Sequence, residues 1–242
     1  MNVAEEQRGD LIFITVTDIG SNHRVLCLPN QDYAGFQCID QDFVIAVSDG
    51  VGSCKKADEG SKFAVDAVMK LFIEIKMRAL HLDNTEMANY IISAWQSSIV
   101  GGSANDYCAT IKAVIKIGNV AKMISLGDGI AAITSNGMSI IAPTEETNFT
   151  NETKCLNSSI SSESFWIMDF NLDIHQPFVV FCCTDGVANS LVMGKELEFV
   201  KEIEDNTTFS SLKDELTDLI NEIGDYSFDD KTLGVVKYER KN

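Results

Sequence analysis

Residues 43–53 have the sequence FVIAVSDGVGS, and the interpretation of the whole chain starts from this stretch. Phe43 to Val47 is a short, continuous apolar run, which is typical of a strand buried on both faces. Asp49 follows where the chain leaves this strand, and Gly50 and Gly52 permit backbone conformations and close approaches that other residues do not. A carboxylate at a rigid strand end, beside backbone carbonyls, suits a hard cation such as Mg²⁺ or Mn²⁺. The same Asp-Gly pair also fits a simple hairpin turn, so this stretch alone leaves both interpretations open.

The pattern of an apolar strand next to an acid recurs later in the chain. Asp128-Gly129 follows a run that ends at Leu126, and Asp185-Gly186 follows the run from Phe178 to Thr184. Asp229-Asp230 precedes the last predicted strand. In an antiparallel sheet one strand ends beside the start of its neighbour, so these acids are expected to meet at one sheet edge. Unrelated turns at a common edge are the alternative.

Carboxylates held close together raise one another's pKa, because like charges disfavour a second ionisation. A pair of divalent cations relieves this repulsion, makes a nucleophile of a shared water near neutral pH, and neutralises charge on a phosphoryl group. The sequence shows neither a Ser-His-Asp triad nor a phosphate-binding loop of the Gly-x-x-x-x-Gly-Lys-Ser/Thr type. The acids therefore favour metal-assisted phosphoryl chemistry.

Composition bounds the class of protein. The chain has 242 residues, 45% of them hydrophobic, with 3 prolines and a formal net charge of −17. Without a Gly/Ser-rich linker, residues 1–242 are predicted to form one domain. The acidic surface is expected to repel nucleic acids and anionic membranes, and no apolar run approaches the ~18 residues of a membrane span. The polar segment 1–10 does not resemble a signal peptide, so a cytoplasmic protein is expected, with the 7 cysteines as reduced thiols.

The order of the predicted elements indicates an α+β fold. Amphipathic spacing predicts helices over 57–80, 85–100, 195–203 and 212–223. Besides the strand at 43–47, apolar runs predict strands over 11–16, 108–117, 120–126, 130–134, 138–142, 165–172, 177–184 and 232–238. Polar segments at 17–24, 29–33 and 40–42 are predicted turns. Because helices follow helices and strands follow strands, layered sheets and helices are favoured over a parallel βαβ series.

Six short motifs occur in a fixed order along nearly the whole chain. They are Asn30-Gln-Asp32, Val47-Ser-Asp-Gly-Val-Gly52, Asp106-Tyr-Cys-Ala-Thr110, Ser125-Leu-Gly-Asp-Gly129, Cys183-Thr-Asp-Gly186 and Asp229-Asp-Lys-Thr232. Each is unspecific alone, but through their shared order and spacing the chain resembles the metal-dependent protein serine/threonine phosphatases of the type 2C family, most closely the short bacterial form. The resemblance implies a four-layer α-β-β-α sandwich of two antiparallel sheets flanked by helix pairs.

The resemblance also implies a cleft at one sheet edge that holds two Mn²⁺ or Mg²⁺ ions. Asp49 would bridge the two ions, and Gly50 would offer its carbonyl oxygen. Asp185 and Asp229 would complete the ligands of the first ion. Asp49, Asp185 and Asp229 would thus act in catalysis through the metals.

Two further acids and a loop take their roles from the same resemblance. Asp32 would lie by the second ion, directly or through water. Asp128, together with Asp185, matches the place where bacterial members hold a third ion. The polar segment at about 144–164 falls where the family carries a flap beside the cleft.

The chain departs from the family pattern where the phosphate is gripped. The family usually has an arginine five residues before the acid of its first motif, and here that position is Cys27. Gln31 stands where many members have glutamate, and Val51 where some have a histidine. Phosphate binding then falls to another group, and the candidates are His23, Arg24, Lys55 and Lys56, each of which is otherwise an ordinary surface side chain.

The main hypothesis is a hydrolase that removes phosphate from phosphoserine or phosphothreonine in proteins, using a metal-bridging hydroxide. From the family, its partners would be a phosphorylated protein and an opposing serine/threonine kinase. The alternative is a catalytically weak type 2C-like regulatory binding module, which Cys27 in place of the arginine motivates. A third hypothesis is a metallohydrolase acting on a small phosphate ester.

Overall fold

The computed structural model describes residues 1–143, 153–173, 175–206, 208–224 and 226–239. Within these ranges the helices are α1 (Ser21–Leu26), α2 (Ala57–Arg78), α3 (Asn84–Ser98), α4 (Asp185–Ala188), α5 (Glu196–Asn206) and α6 (Phe209–Gly224). The strands are β1 (Asn2–Arg8), β2 (Leu11–Asp18), β3 (Asp32–Ile39), β4 (Asp42–Asp49), β5 (Ile111–Ile117), β6 (Val120–Leu126), β7 (Ile130–Ser135), β8 (Met138–Ile141), β9 (Trp166–Asn171), β10 (Phe178–Cys183) and β11 (Lys231–Tyr238).

The strands form two antiparallel sheets, as the α+β prediction requires. Sheet A has the order β1-β2-β11-β10-β7-β8, and sheet B has the order β3-β4-β5-β6-β9. The predicted hairpins are present: Gly118-Asn119 joins β5 to β6, and Asn136-Gly137 joins β7 to β8. The chain passes from sheet B to sheet A between β6 and β7, through Gly127-Asp128-Gly129.

Three apolar layers separate four layers of secondary structure, which confirms the predicted sandwich. One layer lies between sheet B and the helices α2 and α3, one lies between the sheets, and one lies between sheet A and the helices α5 and α6. Strand β4 contributes to two of them, because Val44 and Ala46 face the helices while Phe43, Ile45 and Val47 face sheet A. Burial of both faces explains why this strand is a continuous apolar run rather than an alternating one.

Aromatic rings fill the layer between the sheets. The ring centroids of Phe13 on β2 and Phe43 on β4 are 5.7 Å apart in an edge-on arrangement. Phe43 also stacks on Phe178 of β10, with centroids 6.1 Å apart. These rings connect the two sheets near the end of the sandwich where β4 and β10 begin, opposite to the end that bears Asp49 and Asp185.

Four of these elements were not predicted from the sequence: strands β1 and β3, helix α1, and the four-residue helix α4. Strands β1 and β3 lie at the outer edges of their sheets, and β1 is largely exposed and polar, so neither has the apolar run that marks a buried strand. Helix α1 forms inside the segment predicted as a turn at 17–24 and has no buried residue. Six residues without an apolar face are too few for a helical period to show.

The predicted flap lies only partly within the described residues, since 144–152 fall outside them. Of the remainder, Leu156 is buried, and its N–H donates to the Ala109 carbonyl oxygen at 2.8 Å. Among the helices of the described ranges, none combines the length and the apolar character needed to cross a bilayer.

Candidate metal centre

The strand registers place the predicted acids at one end of both sheets. Asp32 begins β3 and is the direct antiparallel partner of Asp49, which ends β4. Asp128 lies in the crossing from β6 to β7, and Asp185 follows β10, whose end pairs with the start of β7. The end of β10 also pairs with the start of β11, which Asp229 precedes by two residues. Five acids that are remote in sequence therefore share one edge of the sandwich.

Asp32 and Asp49 form a buried carboxyl pair. Their side chains hydrogen-bond to each other, and burial raises the pKa of both groups. The negative charges of Asp32 and Asp185 raise the pKa of Asp49 further. Because two buried carboxylates cannot both stay ionised in contact, the pair retains a proton when no cation is present.

Asp185 extends this interaction to the other acids. Burial, followed by the charges of Asp128 and Asp229, raises the pKa of Asp185 to about 6. The Gly186 N–H opposes this shift by hydrogen-bonding to the carboxylate at the start of α4. Asp128 itself accepts a hydrogen bond from the Thr153 hydroxyl, with 3.0 Å between the oxygens.

Two threonines hold the carboxyl pair in place. The Thr184 hydroxyl donates to Asp32 Oδ2 at 2.7 Å and accepts from the Thr232 N–H at 3.1 Å. The Thr110 Oγ1 accepts from the Asp49 N–H at 3.0 Å, while the Thr110 N–H donates to the Asp49 carbonyl oxygen at 2.8 Å. Thr184 thus joins the end of β10 to the starts of β3 and β11, and Thr110 joins the end of β4 to the segment before β5; neither set of contacts was anticipated from the sequence.

Gly50 occupies a position that excludes a side chain. Its N–H donates to the Gln31 carbonyl oxygen at 3.0 Å. A Cβ added there would collide with the Ala57 carbonyl at the start of α2 and would lie 2.8 Å from the Gln31 carbonyl oxygen. The glycine therefore lets three backbone segments meet beside Asp49.

The crossing between the sheets needs glycine for its conformation. Gly127 and Gly129 have φ angles of 84° and 89°, which residues with a side chain rarely adopt. A Cβ on Gly129 would also lie 2.5 Å from the Cys183 carbonyl oxygen. The two glycines thus allow the turn that places Asp128 between the end of β6 and the start of β7.

Asp230 is the residue of this edge whose importance the sequence did not reveal. It is buried, and it accepts hydrogen bonds from the Gly20 N–H and the Gln31 N–H, each at 2.6 Å. Its Oδ2 also lies 2.8 Å from His23 Nδ1. Its place one residue before an apolar strand was the available signal, because alternation at a strand start turns one of two adjacent acids inward.

Of the four phosphate-binding candidates, His23 lies nearest the acids, through its contact with Asp230. Arg24 is instead paired with Asp18, with Nη2 at 2.7 and 2.6 Å from its two carboxylate oxygens. Lys55 is exposed and 3.7 Å from Asp106, while Lys56 donates to the Tyr107 hydroxyl at 2.8 Å. His23 therefore contacts an acid of this edge, whereas the other three candidates contact residues outside it.

Cys27, at the position where the family usually has arginine, is an exposed residue just after α1. Its φ of 54° places it in the left-handed region as the C-cap of that helix. Helix α1 lengthens the connection between Gly20 and Asn30, so a count of residues back from Asp32 does not identify a residue that faces the acids.

The donors at this edge are carboxylate oxygens and backbone carbonyls, the set that Mg²⁺ and Mn²⁺ prefer. A buried carboxyl pair that holds a proton also offers a place where a divalent cation replaces that proton. Within the described ranges, no three His, Cys, Asp or Glu side chains are placed so that they could hold a metal ion as they stand. The donor chemistry fits a hard cation, and binding requires carboxylates to turn toward it.

A family model described as Protein phosphatase 2C matches residues 19–221, which includes every candidate acid except Asp229 and Asp230. No curated protein sequence gives a significant match.

Solved structures share the fold over nearly the full chain. RsbX in complex with magnesium is 14% identical, with a TM-score of 0.65 over 98% of this chain and 100% of that one. The catalytic domain of the serine/threonine protein phosphatase PstP with 2 manganese ions is 14% identical, with a TM-score of 0.63 over 95% and 99%. Serine/threonine phosphatase Stp1 from Staphylococcus aureus is 17% identical, with a TM-score of 0.64 over 97% and 96%. These identities show the fold, and the family match over well more than half of the chain shows that this protein belongs to the protein phosphatase 2C family.

Proposed function

We propose that the chain is a metal-dependent phosphatase that hydrolyses phosphoserine and phosphothreonine in proteins, with two Mn²⁺ or Mg²⁺ ions. The observation that supports this most is the convergence of Asp32, Asp49, Asp128, Asp185 and Asp229 on one edge of the sandwich. The magnesium bound to RsbX and the manganese bound to PstP make divalent cations the natural cofactors for the same fold.

The proposed ligands are the five acids and the Gly50 carbonyl, with Asp49 between the ions and Asp128 available for a third. Divalent cations would supply charge neutralisation for a phosphoryl group and acidification of a water molecule. The chain's own contribution is positional. Thr184 keeps Asp32 oriented, Thr110 keeps Asp49 oriented, and the close backbone approach at Gly50 keeps the edge rigid.

His23 is the group proposed to contact the phosphate. Because Asp230 engages its Nδ1, the ring presents Nε2 as the nitrogen for a ligand. A protonated imidazole donates from Nε2 and carries a positive charge, both of which suit a phosphoryl oxygen. His23 would thereby take the part of the arginine that the chain lacks at Cys27.

The first prediction concerns Asp49→Asn, which keeps the size of the side chain but removes its charge. We expect Mn²⁺-dependent hydrolysis of a phosphothreonine peptide to fall by more than about a hundredfold, since even outer-shell partners of metal ligands are worth about ten- to a hundredfold. Asp214→Asn, at an exposed position on α6, is the matched control and should keep the unsubstituted rate of hydrolysis. Full activity in Asp49→Asn, or activity that persists in excess chelator, would overturn the proposal.

A second candidate function is a regulatory binding module with weak turnover. The exposed position of Cys27 and the pairing of Arg24 with Asp18 favour it, because neither side chain is placed to grip a phosphate. Calorimetric titration with Mn²⁺ together with a turnover assay separates the two functions. Tight binding with fast turnover excludes the module, whereas specific binding of a phosphopeptide without release of phosphate supports it.

The remaining expectations stay predictions. They are a single domain over 1–242, a flap at about 144–164, a phosphoprotein substrate opposed by a serine/threonine kinase, a cytoplasmic location, and no nucleic acid or membrane partner. Comparison of phosphopeptides with small phosphate esters as substrates would test the substrate class directly.

A further inference from the structure

Three cysteines that are far apart in sequence meet beside the candidate metal centre. The thiols of Cys54 and Cys155 both interact with the Cys108 thiol. Nothing in the proposed phosphatase chemistry uses this thiol cluster. It therefore raises the question of what three adjacent thiols can do.

Backbone hydrogen bonds bring Cys54 to Cys108. The Val51 N–H donates to the Cys108 carbonyl oxygen at 2.9 Å, so the segment after Asp49 runs alongside Cys108. The Cys54 N–H then donates to the Val51 carbonyl oxygen at 2.8 Å, which closes a turn that returns Cys54 toward Cys108. The contact is thus set by main-chain geometry rather than by two mobile side chains.

Cys155 approaches Cys108 from the other side. The Leu156 N–H donates to the Ala109 carbonyl oxygen at 2.8 Å, and an antiparallel bridge at these residues puts their preceding neighbours on a common face. The Asn157 amide lies 3.8 Å from the Cys155 sulfur. The charge of Asp128 also acts on this thiol, so the cluster adjoins the candidate ligands.

The three thiols differ in access to solvent. Cys108 is 8% exposed and Cys155 is 9% exposed, whereas Cys54 is only partly buried. Burial, followed by contact with Cys54, raises the pKa of Cys108, and burial raises the pKa of Cys155. A solvent oxidant therefore reaches Cys54 first. Cys108, which is buried next to it, is then the thiol that reacts with the oxidised Cys54.

We propose that Cys54 and Cys108 form an oxidative modification site, at which a hydroperoxide converts the two thiols to a disulfide. The Cys54 sulfur attacks one peroxide oxygen, the O–O bond breaks, and an alcohol, or water from hydrogen peroxide, leaves a sulfenic acid on Cys54. The Cys108 sulfur then attacks the Cys54 sulfur, the S–O bond breaks, and the leaving hydroxyl takes the Cys108 proton as water. Two thiols lose two electrons, and one peroxide gains them.

The disulfide would alter the edge that bears Asp49. Val51 and Cys54 belong to the same turn as Gly50, so a covalent bond to Cys108 changes how freely that turn adjusts when a cation enters. Oxidation is expected to lower phosphatase activity, and a dithiol should restore it. This effect rests on the proposed function, whereas formation of the disulfide does not.

The test treats the folded, full-length protein with hydrogen peroxide, blocks remaining thiols during denaturation, and measures intact mass and disulfide-linked peptides. We expect the peroxide-treated chain to carry two fewer blocked thiols than the untreated chain, and a peptide pair that joins Cys54 to Cys108. The linked peptide pair should be absent from Cys54→Ser and present in Cys155→Ser and Cys38→Ser. The linked peptides of the unsubstituted chain decide the result even if Cys108→Ser does not fold.

Each outcome has one meaning. The Cys54–Cys108 link, lost in Cys54→Ser and kept in Cys155→Ser, supports the proposal. No disulfide after peroxide treatment, oxidation confined to other cysteines, or a link between Cys108 and Cys155 overturns it. A chain that forms the predicted link but never releases phosphate, reduced or oxidised, would contradict the proposed phosphatase while leaving the modification site established.

Discussion

A single hydroxyl connects the two sheets at the candidate metal centre. Thr184 follows a strand of sheet A, yet it donates to Asp32 Oδ2 on a strand of sheet B. Because the same oxygen accepts the Thr232 N–H, the hydroxyl satisfies two buried groups at once. Its removal affects both a proposed ligand and the packing of β11.

We predict that Thr184→Val lowers both Mn²⁺ affinity and stability. Valine has the shape of threonine but leaves Asp32 Oδ2 and the Thr232 N–H without this partner, which costs about 1–3 kcal/mol in the free energy of unfolding. Loss of an outer-shell partner should weaken metal affinity by about ten- to a hundredfold. Chemical denaturation and calorimetry measure the two effects, and Thr184→Ser should recover both. Unchanged affinity in the valine variant would show that Asp32 needs no support from this hydroxyl.

Neighbouring residues on α1 give a paired test of phosphate binding. His23→Gln removes the imidazole that Asp230 holds, and we expect a rise in KM for a phosphopeptide that exceeds any fall in kcat. Arg24→Gln breaks a partly exposed pair with Asp18, so a smaller change in KM is expected. Steady-state kinetics of both variants decide between them. A larger KM effect at Arg24 would transfer the assignment to that residue.

At the scale of elements, the turn from β4 into α2 offers a matched pair of glycines. Gly50→Ala would place a methyl group against two backbone carbonyls that cannot both move, and such overpacking costs about 1–3 kcal/mol. Gly52→Ala would meet only the end of the Gln31 side chain at 3.5 Å, which is ordinary contact. Thermal unfolding should therefore show a clear loss of Tm for the first variant and little for the second. Equal losses would mean that the whole turn, rather than the position of Gly50, is sensitive.

The elements that sequence patterns predicted are those buried on two faces or amphipathic over several turns. Strands β4 and β10 are continuous apolar runs because each packs on helices with one face and on the opposite sheet with the other. Edge strands β1 and β3 lack such a run, because each has a neighbouring strand on one side only and is partly exposed to solvent. Their pairing is set by tertiary contacts, which a local pattern does not contain.

The site was predictable to the extent that it follows from strand ends. An acid after a buried strand stands at a sheet edge wherever the fold is antiparallel, so Asp49, Asp128 and Asp185 could be named from their neighbours. The part played by Asp230 could not, because its partners are backbone N–H groups some 200 positions away in the chain, at Gly20 and Gln31. Only the folded arrangement shows that this acid, rather than its neighbour Asp229, is buried.

For the molecule as a whole, we predict that divalent cations stabilise the fold specifically. A ligand that binds the native state alone adds about 2.7 kcal/mol at a hundred times its Kd, and neutralisation of the acidic edge is the physical source of that affinity. Mn²⁺ should raise Tm more than NaCl of equal ionic strength, which only screens the formal charge of −17. The difference should disappear in Asp49→Asn. Equal shifts with the two salts would indicate screening alone.

The aromatic rings between the sheets have a consequence for the acids at the opposite end of the sandwich. Asp49 belongs to sheet B and Asp185 follows a strand of sheet A, so the spacing between these carboxylates depends on the separation of the two sheets, to which the packing of Phe13, Phe43 and Phe178 contributes. A smaller side chain at position 43 would let the two sheets pack closer together or shift relative to each other. Cation selectivity depends on ligand spacing to a few tenths of an ångström. A substitution deep in the interior would therefore change the preference between cations while the protein remained folded.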